Sequence, residues 1–407
     1  MTPAVATFWT SAALVAYAYV GYPLFVWALG RFSGRRSPTG DATPTITVVI
    51  SAHNEETGIG AKLDNCLALD YPPERLDVIV VSDGSSDRTA AEVAGYTERF
   101  PARVRLIEFP ERRGKASALS AAAAEATGEL LLLADVRQRL DRAVARALAR
   151  HFDDPEVGAV SGELILLAPG RDELDGGLGA YWRYEKFLRR AESRWGSSMG
   201  YTGAVSAVRR RLFAPLPPET LVDDLVVALR VIAGGHRVLF EPAAKAYDRV
   251  SSEPGREFAR KVRTLAGTLQ TGIESRRLVG PLSARIWWQL CSHKLLRLAV
   301  PFLLVAAWVS SAFAEEPLYR AAWLAQTAGY ALGALALLLP ARVGRTRLGG
   351  LASAFLMLNA AAAVGVFSYL GGRRLDLWRA PAADRRAASD HEPASNSEPA
   401  SNSSVVS

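Results

Sequence analysis

The chain has 407 residues, 49% hydrophobic and 22% charged, with a net charge of +7 and a mean hydropathy of +0.08. That length holds one large catalytic domain plus membrane spans, and the hydropathy averages a charged middle with nearly uncharged runs at the ends. No base-reading motif accompanies the basic charge, which argues against a nucleic-acid partner; two distant cysteines and five scattered histidines offer neither a disulfide framework nor zinc spacing.

Residues 7–29 carry no charge and are long enough to cross a bilayer. The run lacks the basic start and short apolar core of a signal peptide. Arg31, Arg35 and Arg36 follow it, so the next segment is expected in the cytoplasm. From residue 45 to 283 the pattern changes. Apolar β-like runs at 46–51, 77–83, 104–109, 129–135 and 157–166 alternate with helical stretches such as 86–99, 115–126 and 140–152. Continuous apolar strands separated by helices predict an α/β domain, a mostly parallel sheet covered on both faces.

Residues 284–298 mix Trp and Leu with Arg, His and Lys at helical spacing. They read either as an interfacial amphipathic helix on the cytoplasmic leaflet or as the start of a span. Three further apolar runs, about 298–314, 319–340 and 350–371, complete a four-span protein with spans at 7–29 and within 298–371. Glu315 and Glu316 suit the outer side, and Arg342, Arg345 and Arg347 the inner side. Four crossings put both termini outside, whereas Arg373, Arg374, Arg379, Arg385 and Arg386 would hold the last segment inside. The tail at 380–407 is rich in Ser, Asn, Pro, Ala and Glu and is expected to be disordered.

Three acidic signals stand at strand ends or turns: Asp83 in VIVVSDGSSD, Asp135 in LLLLAD, and Asp223-Asp224 in LVDDL. A buried strand ending in Asp presents a carboxylate at the edge where open parallel sheets bind ligands. Each has a plainer reading. Asp87 reads as a helix cap, Lys115 as a surface lysine at a helix start, and the Asp doublet as a helix start favoured by the dipole. Trp182, Tyr184 and Trp195 read as helix core or as stacking surfaces for sugar or lipid.

The ordered set VVISAHNEE, VVSDGSSD, RRGKASAL, LLLLAD, TGA at 202–204, VDDL and RKVRT, flanked by spans, resembles the inverting family 2 glycosyltransferases. The membrane-embedded group that includes cellulose, hyaluronan and poly-N-acetylglucosamine synthases is the nearest in pattern. The resemblance covers about residues 45–300. It implies a GT-A (Rossmann-like) fold flanked by transmembrane helices, a nucleotide-diphosphate sugar donor of the UDP type, and Mg²⁺ or Mn²⁺. By position, His53, Glu55 and Asp83 fall at the nucleotide end and Lys115 near the nucleotide. Asp135 matches the first Asp of the metal-binding DxD motif, but Arg137 replaces the second. Asp224, with Asp223 before it, matches the catalytic base. Arg260 and Arg263 fall where synthases carry Gln-x-x-Arg-Trp, with Thr264 in place of Trp; the loss of that Trp weighs against processive polymer synthesis. Gly200, Thr202 and Gly203 match the acceptor pocket.

The expected activity is transfer of a sugar to a polysaccharide or saccharide acceptor at the inner membrane, with the catalytic domain cytoplasmic. Single transfer to a lipid acceptor is the alternative, and an inactive scaffold a weaker one. A partner that exports product through the envelope would accompany a polymer. The first turn lacks the G-x-G-x-x-G of a dinucleotide oxidoreductase.

Overall fold

The computed structural model describes residues 2–35, 37–167, 177–249 and 254–372; the expected disordered tail at 380–407 lies outside them. The soluble part is built on strands β1 (Ile46–Ala52), β2 (Leu76–Asp83), β3 (Val104–Phe109), β4 (Leu130–Asp135), β5 (Arg139–Leu140), β6 (Val157–Leu167), β7 (Ser206–Arg209) and β8 (Arg237–Arg249). They form one sheet in the order β3-β2-β1-β4-β7-β6-β8-β5. The β3-β2-β1-β4 half is parallel, as is the β6–β8 pair, while β7 runs antiparallel between the two halves and β5 antiparallel at the edge. The sheet is therefore mixed, with most of its strands parallel.

Both faces are buried, which is why the strands read as unbroken apolar runs. Ile46, Val48, Ile50, Leu130 and Leu132 face one core, with Ile59 and Leu63 of the helix Ile59–Leu67 and Val144 and Leu148 of the helix Val144–Ala149. Val49, Ile79, Val81, Leu131 and Leu133 face the other, against Leu119 of the helix Lys115–Glu125 and Val226 and Leu229 of the helix Asp223–Ala233. The five predicted strands agree with β1, β2, β3, β4 and β6 to within a residue at each end. β7 and β8 carry no such signal: β7 spans only Ser206–Arg209, and β8 contains Pro242 and charged residues, opposite an irregular register in β6.

Among the described residues, four helices are long and apolar enough to cross a membrane: Pro3–Phe32, Ala284–Ala312, Pro317–Leu338 and Arg347–Leu370. The segment 284–298 is not a separate interfacial helix. It runs on through a π turn at Cys291–Leu295 into the second of these long helices. The reason lies in packing. Ile286 and Leu290 are buried in the second core of the soluble domain beside Leu278 and Leu225, so the helix is rooted in that domain instead of lying free on a surface.

The N-terminal helix packs on the helix Gly177–Trp195 through Tyr22, Val26, Leu188 and Ala191. Buried polar groups reinforce this seam. The Tyr22 hydroxyl donates to Glu192 Oε1 at 2.6 Å, and His293 Nδ1 lies 2.8 Å from the same oxygen.

Candidate active site

Ser51 of β1 is in register with Val81 of β2 on one side and with Asp135 of β4 on the other. Three parallel strands thus end at one level, and the turns that follow them share one edge. Those turns are tied to one another. Asn54, at φ +55°, accepts from the Ser86 amide at 2.8 Å, the Glu55 amide donates to Thr89 Oγ1 at 2.8 Å, and the Glu56 amide donates to Asp87 Oδ2 at 3.1 Å. Asp87 also accepts from the amide of Thr89, the first residue of the helix Thr89–Arg99, at 3.0 Å, so it braces the helix start from one residue ahead of the N-cap position, Arg88.

Asp83 is 3% exposed, and its two carboxylate oxygens accept from the Arg113 and Gly114 amides at 2.7 and 2.9 Å. His53 Nδ1 lies 2.7 Å from the Asp83 carbonyl oxygen. Asp83 therefore clamps the RRGK turn that launches Lys115. Gly84 makes the clamp possible: it sits at φ +61°, and a Cβ there would stand 2.3 Å from the Arg112 amide nitrogen. Glu55 faces the same edge. Burial raises its pKa, Arg137 opposes the rise, and Asp135 and Asp87 add to it.

At the centre stands Lys115, first residue of its helix. Its ammonium lies 2.8 Å from Asp135 Oδ1 and 3.7 Å from Asp223 Oδ2, so it is not a free surface lysine. Burial works against its charge, but Asp135, Asp223 and Asp224 raise its pKa above the usual value. Asp223 and Asp224 open the helix Asp223–Ala233, where the dipole favours carboxylates, so the helix-start reading holds alongside any chemical role. Burial and the neighbouring Asp223 carboxylate nevertheless push the Asp224 pKa up to about 6, with Lys115, Arg189 and Lys294 pulling the other way. A carboxylate poised there can hold or release a proton near neutral pH.

Gly203 lies against this centre, since a Cβ there would stand 3.2 Å from Lys115 Nζ and 4.0 Å from Asp223 Oδ2. Thr202 is anchored by its amide to Ser161 Oγ at 3.0 Å, and the Gly200 carbonyl accepts from Ser198 Oγ at 2.9 Å. Between them Tyr201 is 1% exposed with an unpaired buried hydroxyl, its pKa raised by burial and by Asp223 and Asp224. Sequence reasoning missed Tyr201, although it sits inside the segment singled out for the acceptor.

A divalent cation would have to use Asp135. The residue two further on, Arg137, pairs with Asp248 at 2.6 Å, and Gln138 donates to the same oxygen at 3.0 Å. Among the described residues no group of three or more His, Cys, Asp or Glu could hold a metal. Mg²⁺ and Mn²⁺ are commonly held by one or two carboxylates completed by substrate phosphates and water. The residues present fit an ion shared with a diphosphate and do not fit one caged by protein alone. Asp248 is 2% exposed and carries a second, unpaired oxygen; no sequence signal marked it.

Arg263 donates to the Leu221 carbonyl at 3.3 Å, two residues before Asp223, and its Nε is buried without a partner. Arg260 is instead paired with Glu257 on its own helix, Pro254–Ile273. Trp195 is core: its ring meets Trp288 edge-on, with the Arg285 guanidinium 4.0 Å away on its face. Tyr184 lines a separate cavity near the membrane helices, and the Trp182 ring lies under the ammonium of Lys261, another lining residue of that cavity. The structure thus gathers Lys115, Asp135, Asp223, Asp224 and Gly203 at one point, with His53, Glu55 and Asp83 on the adjoining edge.

Residues 47–216 match the family model for glycosyl transferase family 2. Among curated relatives, a probable glycosyltransferase YdaM from Bacillus subtilis is 28% identical over 51% of this chain and 51% of its own length. An N-acetylglucosaminyltransferase from Rhizobium meliloti is 33% identical over 49% of this chain and 50% of its own. The chain spans about half the length of these relatives. Among solved structures, the mannosyltransferase PcManGT from Pyrobaculum calidifontis, bound to GDP-Man and Mn²⁺, superposes with a TM-score of 0.68 at 27% identity. That match covers 90% of this chain and 99% of the other. Residues 47–216 are therefore similar to glycosyl transferase family 2, and the sheet that contains them has the GT-A fold.

Proposed function

We propose that the protein is a membrane-bound inverting glycosyltransferase that moves a sugar from a nucleoside-diphosphate sugar, of the UDP type, to a hydroxyl of a saccharide or lipid acceptor. The single observation that carries this reading is Lys115 held between Asp135 and Asp223 at the strand edge, with the raised-pKa Asp224 beside them. In the proposed step Asp224 takes the acceptor proton as its oxygen attacks the anomeric carbon. The bond to the diphosphate oxygen breaks on the opposite face, and the nucleoside diphosphate leaves with the electron pair. Lys115 offers a fixed cation near the departing diphosphate, and Arg263, with Arg260 behind it, is assigned to the same group. His53, Glu55 and the turn clamped by Asp83 are assigned to the nucleotide, and Gly200, Thr202 and Gly203 to the acceptor. When bound at Asp135, Mg²⁺ or Mn²⁺ would neutralise charge on the diphosphate.

The four long apolar helices support a membrane location. The arginines after the first helix support a cytoplasmic catalytic domain. A donor screen on the full chain in nanodiscs, reading released nucleoside diphosphate, tests the reading. At least one nucleotide sugar should be turned over, and Asp224→Asn should lower turnover by about 10²–10⁴-fold with donor affinity nearly unchanged. Turnover at the parent rate in that variant, or no release from any donor, would overturn it.

A further inference from the structure

A second cavity, of about 410 Å³, lies where the soluble domain meets the membrane helices. That size falls within the usual range for small-molecule sites. Its lining joins Tyr181 and Tyr184 of the helix Gly177–Trp195, Lys261 and Thr264 of the helix Pro254–Ile273, Arg297 of the helix Ala284–Ala312, and Phe355 and Leu358 of the helix Arg347–Leu370. Phe355 and Leu351, both in the lining, are also among the exposed large apolar residues of the last long helix. One side of the cavity thus opens on the surface that would face lipid.

The polar side is basic. Among the described residues Glu257 is shared by Arg260 and Lys261, and Glu185 by Lys294 and Arg297. Two carboxylates thus serve four cations, and of these groups Lys261 and Arg297 line the cavity. Lys261 is loosely held: its nearest carboxylate oxygen, on Glu257, is 3.8 Å away, and its ammonium rests over the Tyr181 and Trp182 rings at 5.5 and 5.0 Å. Burial lowers its pKa, so an anionic ligand would restore what desolvation costs it. Among the described residues the buried Nε of Arg297 has no partner.

The cavity and the reaction centre are both served by one helix, Gly177–Trp195. Tyr181 lines the cavity, and Arg189, which acts on the Asp224 charge, lies eight residues along the same helix. At 1.5 Å per residue those two positions are about 12 Å apart, a little over two helical turns. The small Thr264, whose hydroxyl bonds back to the Arg260 carbonyl at 2.9 Å, leaves this space open.

We propose that this cavity seats a membrane lipid with an anionic headgroup, its chain against Phe355 and Leu358, its phosphate at Lys261 and Arg297, and its free hydroxyl directed along the helix to Asp224. The proposal rests on the glycosyl-transfer reading and names its acceptor class. It is tested on the full chain in nanodiscs of equal phosphatidylglycerol and phosphatidylcholine, with retained lipid identified by native mass spectrometry. The parent should retain phosphatidylglycerol over phosphatidylcholine by at least fivefold; both Ala354→Trp, which puts a bulky ring at a lining position of the last long helix, and Lys261→Glu should lose that preference while still binding donor nucleotide. In washed membranes given labelled donor, label should enter the organic-extractable fraction in the parent and fall at least tenfold in Ala354→Trp. Equal retention of the two lipids by the parent, unchanged preference in both variants, or label confined to water-soluble saccharide would overturn it. Failure of the transfer reading itself is separate: it shows as no nucleoside diphosphate released from any donor.

Discussion

Asp224 links proton chemistry to folding. Its pKa is raised from 3.8 to about 6, first by burial and then by Asp223, so the folded state holds the proton to higher pH than the unfolded chain does. Between about pH 4 and 6 the folded state therefore binds more protons, and stability falls as pH rises through that window. The activity of a general base moves the opposite way. We predict an acid limb in kcat/KM with a midpoint near pH 6, shifted upward in Lys115→Met, because Lys115 opposes the rise. A flat profile from pH 5 to 8 would remove Asp224 from the step. The doublet was legible in the sequence, but the burial that raises the Asp224 pKa was not, nor were Lys115, Arg189 and Lys294, which arrive from other elements and oppose the rise.

At the scale of elements, the turns after β1, β2 and β4 work as one unit because strand register ends them at one level. Gly84 is the tightest point of that unit. Gly84→Ala forces an unfavourable φ and a backbone clash, which should cost more than about 1 kcal/mol and weaken donor binding through the Asp83–Gly114 clamp. Denaturation midpoints and donor titration on the same sample check this; a variant of parent stability and affinity would show that the turn relaxes freely. The sequence marked Asp83 as a strand-end carboxylate. That both its oxygens are taken by backbone amides appears only once the 110–114 turn is folded against it. In the same way Arg137 reads as a lost metal ligand, and its pairing with Asp248 of β8, 111 positions later, is a tertiary fact.

Over the whole molecule, the soluble domain and the long helices are joined by buried polar contacts as well as apolar packing. Glu192 is fully buried and accepts from the Tyr22 hydroxyl, His293 and the Met199 amide, so one carboxylate fastens the N-terminal helix, the second long helix and the loop before Tyr201. Tyr22→Phe leaves that charge short of one donor and should cost about 1–3 kcal/mol. The measurement is thermal unfolding of the protein in detergent. A loss of stability with unchanged donor affinity is expected, and an unchanged melting temperature would mean that His293 and Met199 suffice to hold Glu192. The helix Ala284–Ala312 makes the same junction in apolar terms, entering the soluble core with Ile286 and Leu290.

The sequence by itself determined the alternation of strands and helices, the apolar lengths able to span a bilayer, and the strand-end carboxylates, because periodicity, hydropathy and turn chemistry are local and written in neighbouring residues. It took the folded chain to show that Lys115 bridges Asp135 and Asp223, that residues 284–298 belong to a long helix, and that a largely apolar cavity lined by Lys261 and Arg297 sits at the membrane seam. Each of these depends on side chains far apart in the chain meeting in a low-dielectric interior, where partner and burial set charge and position and no short window of sequence encodes either.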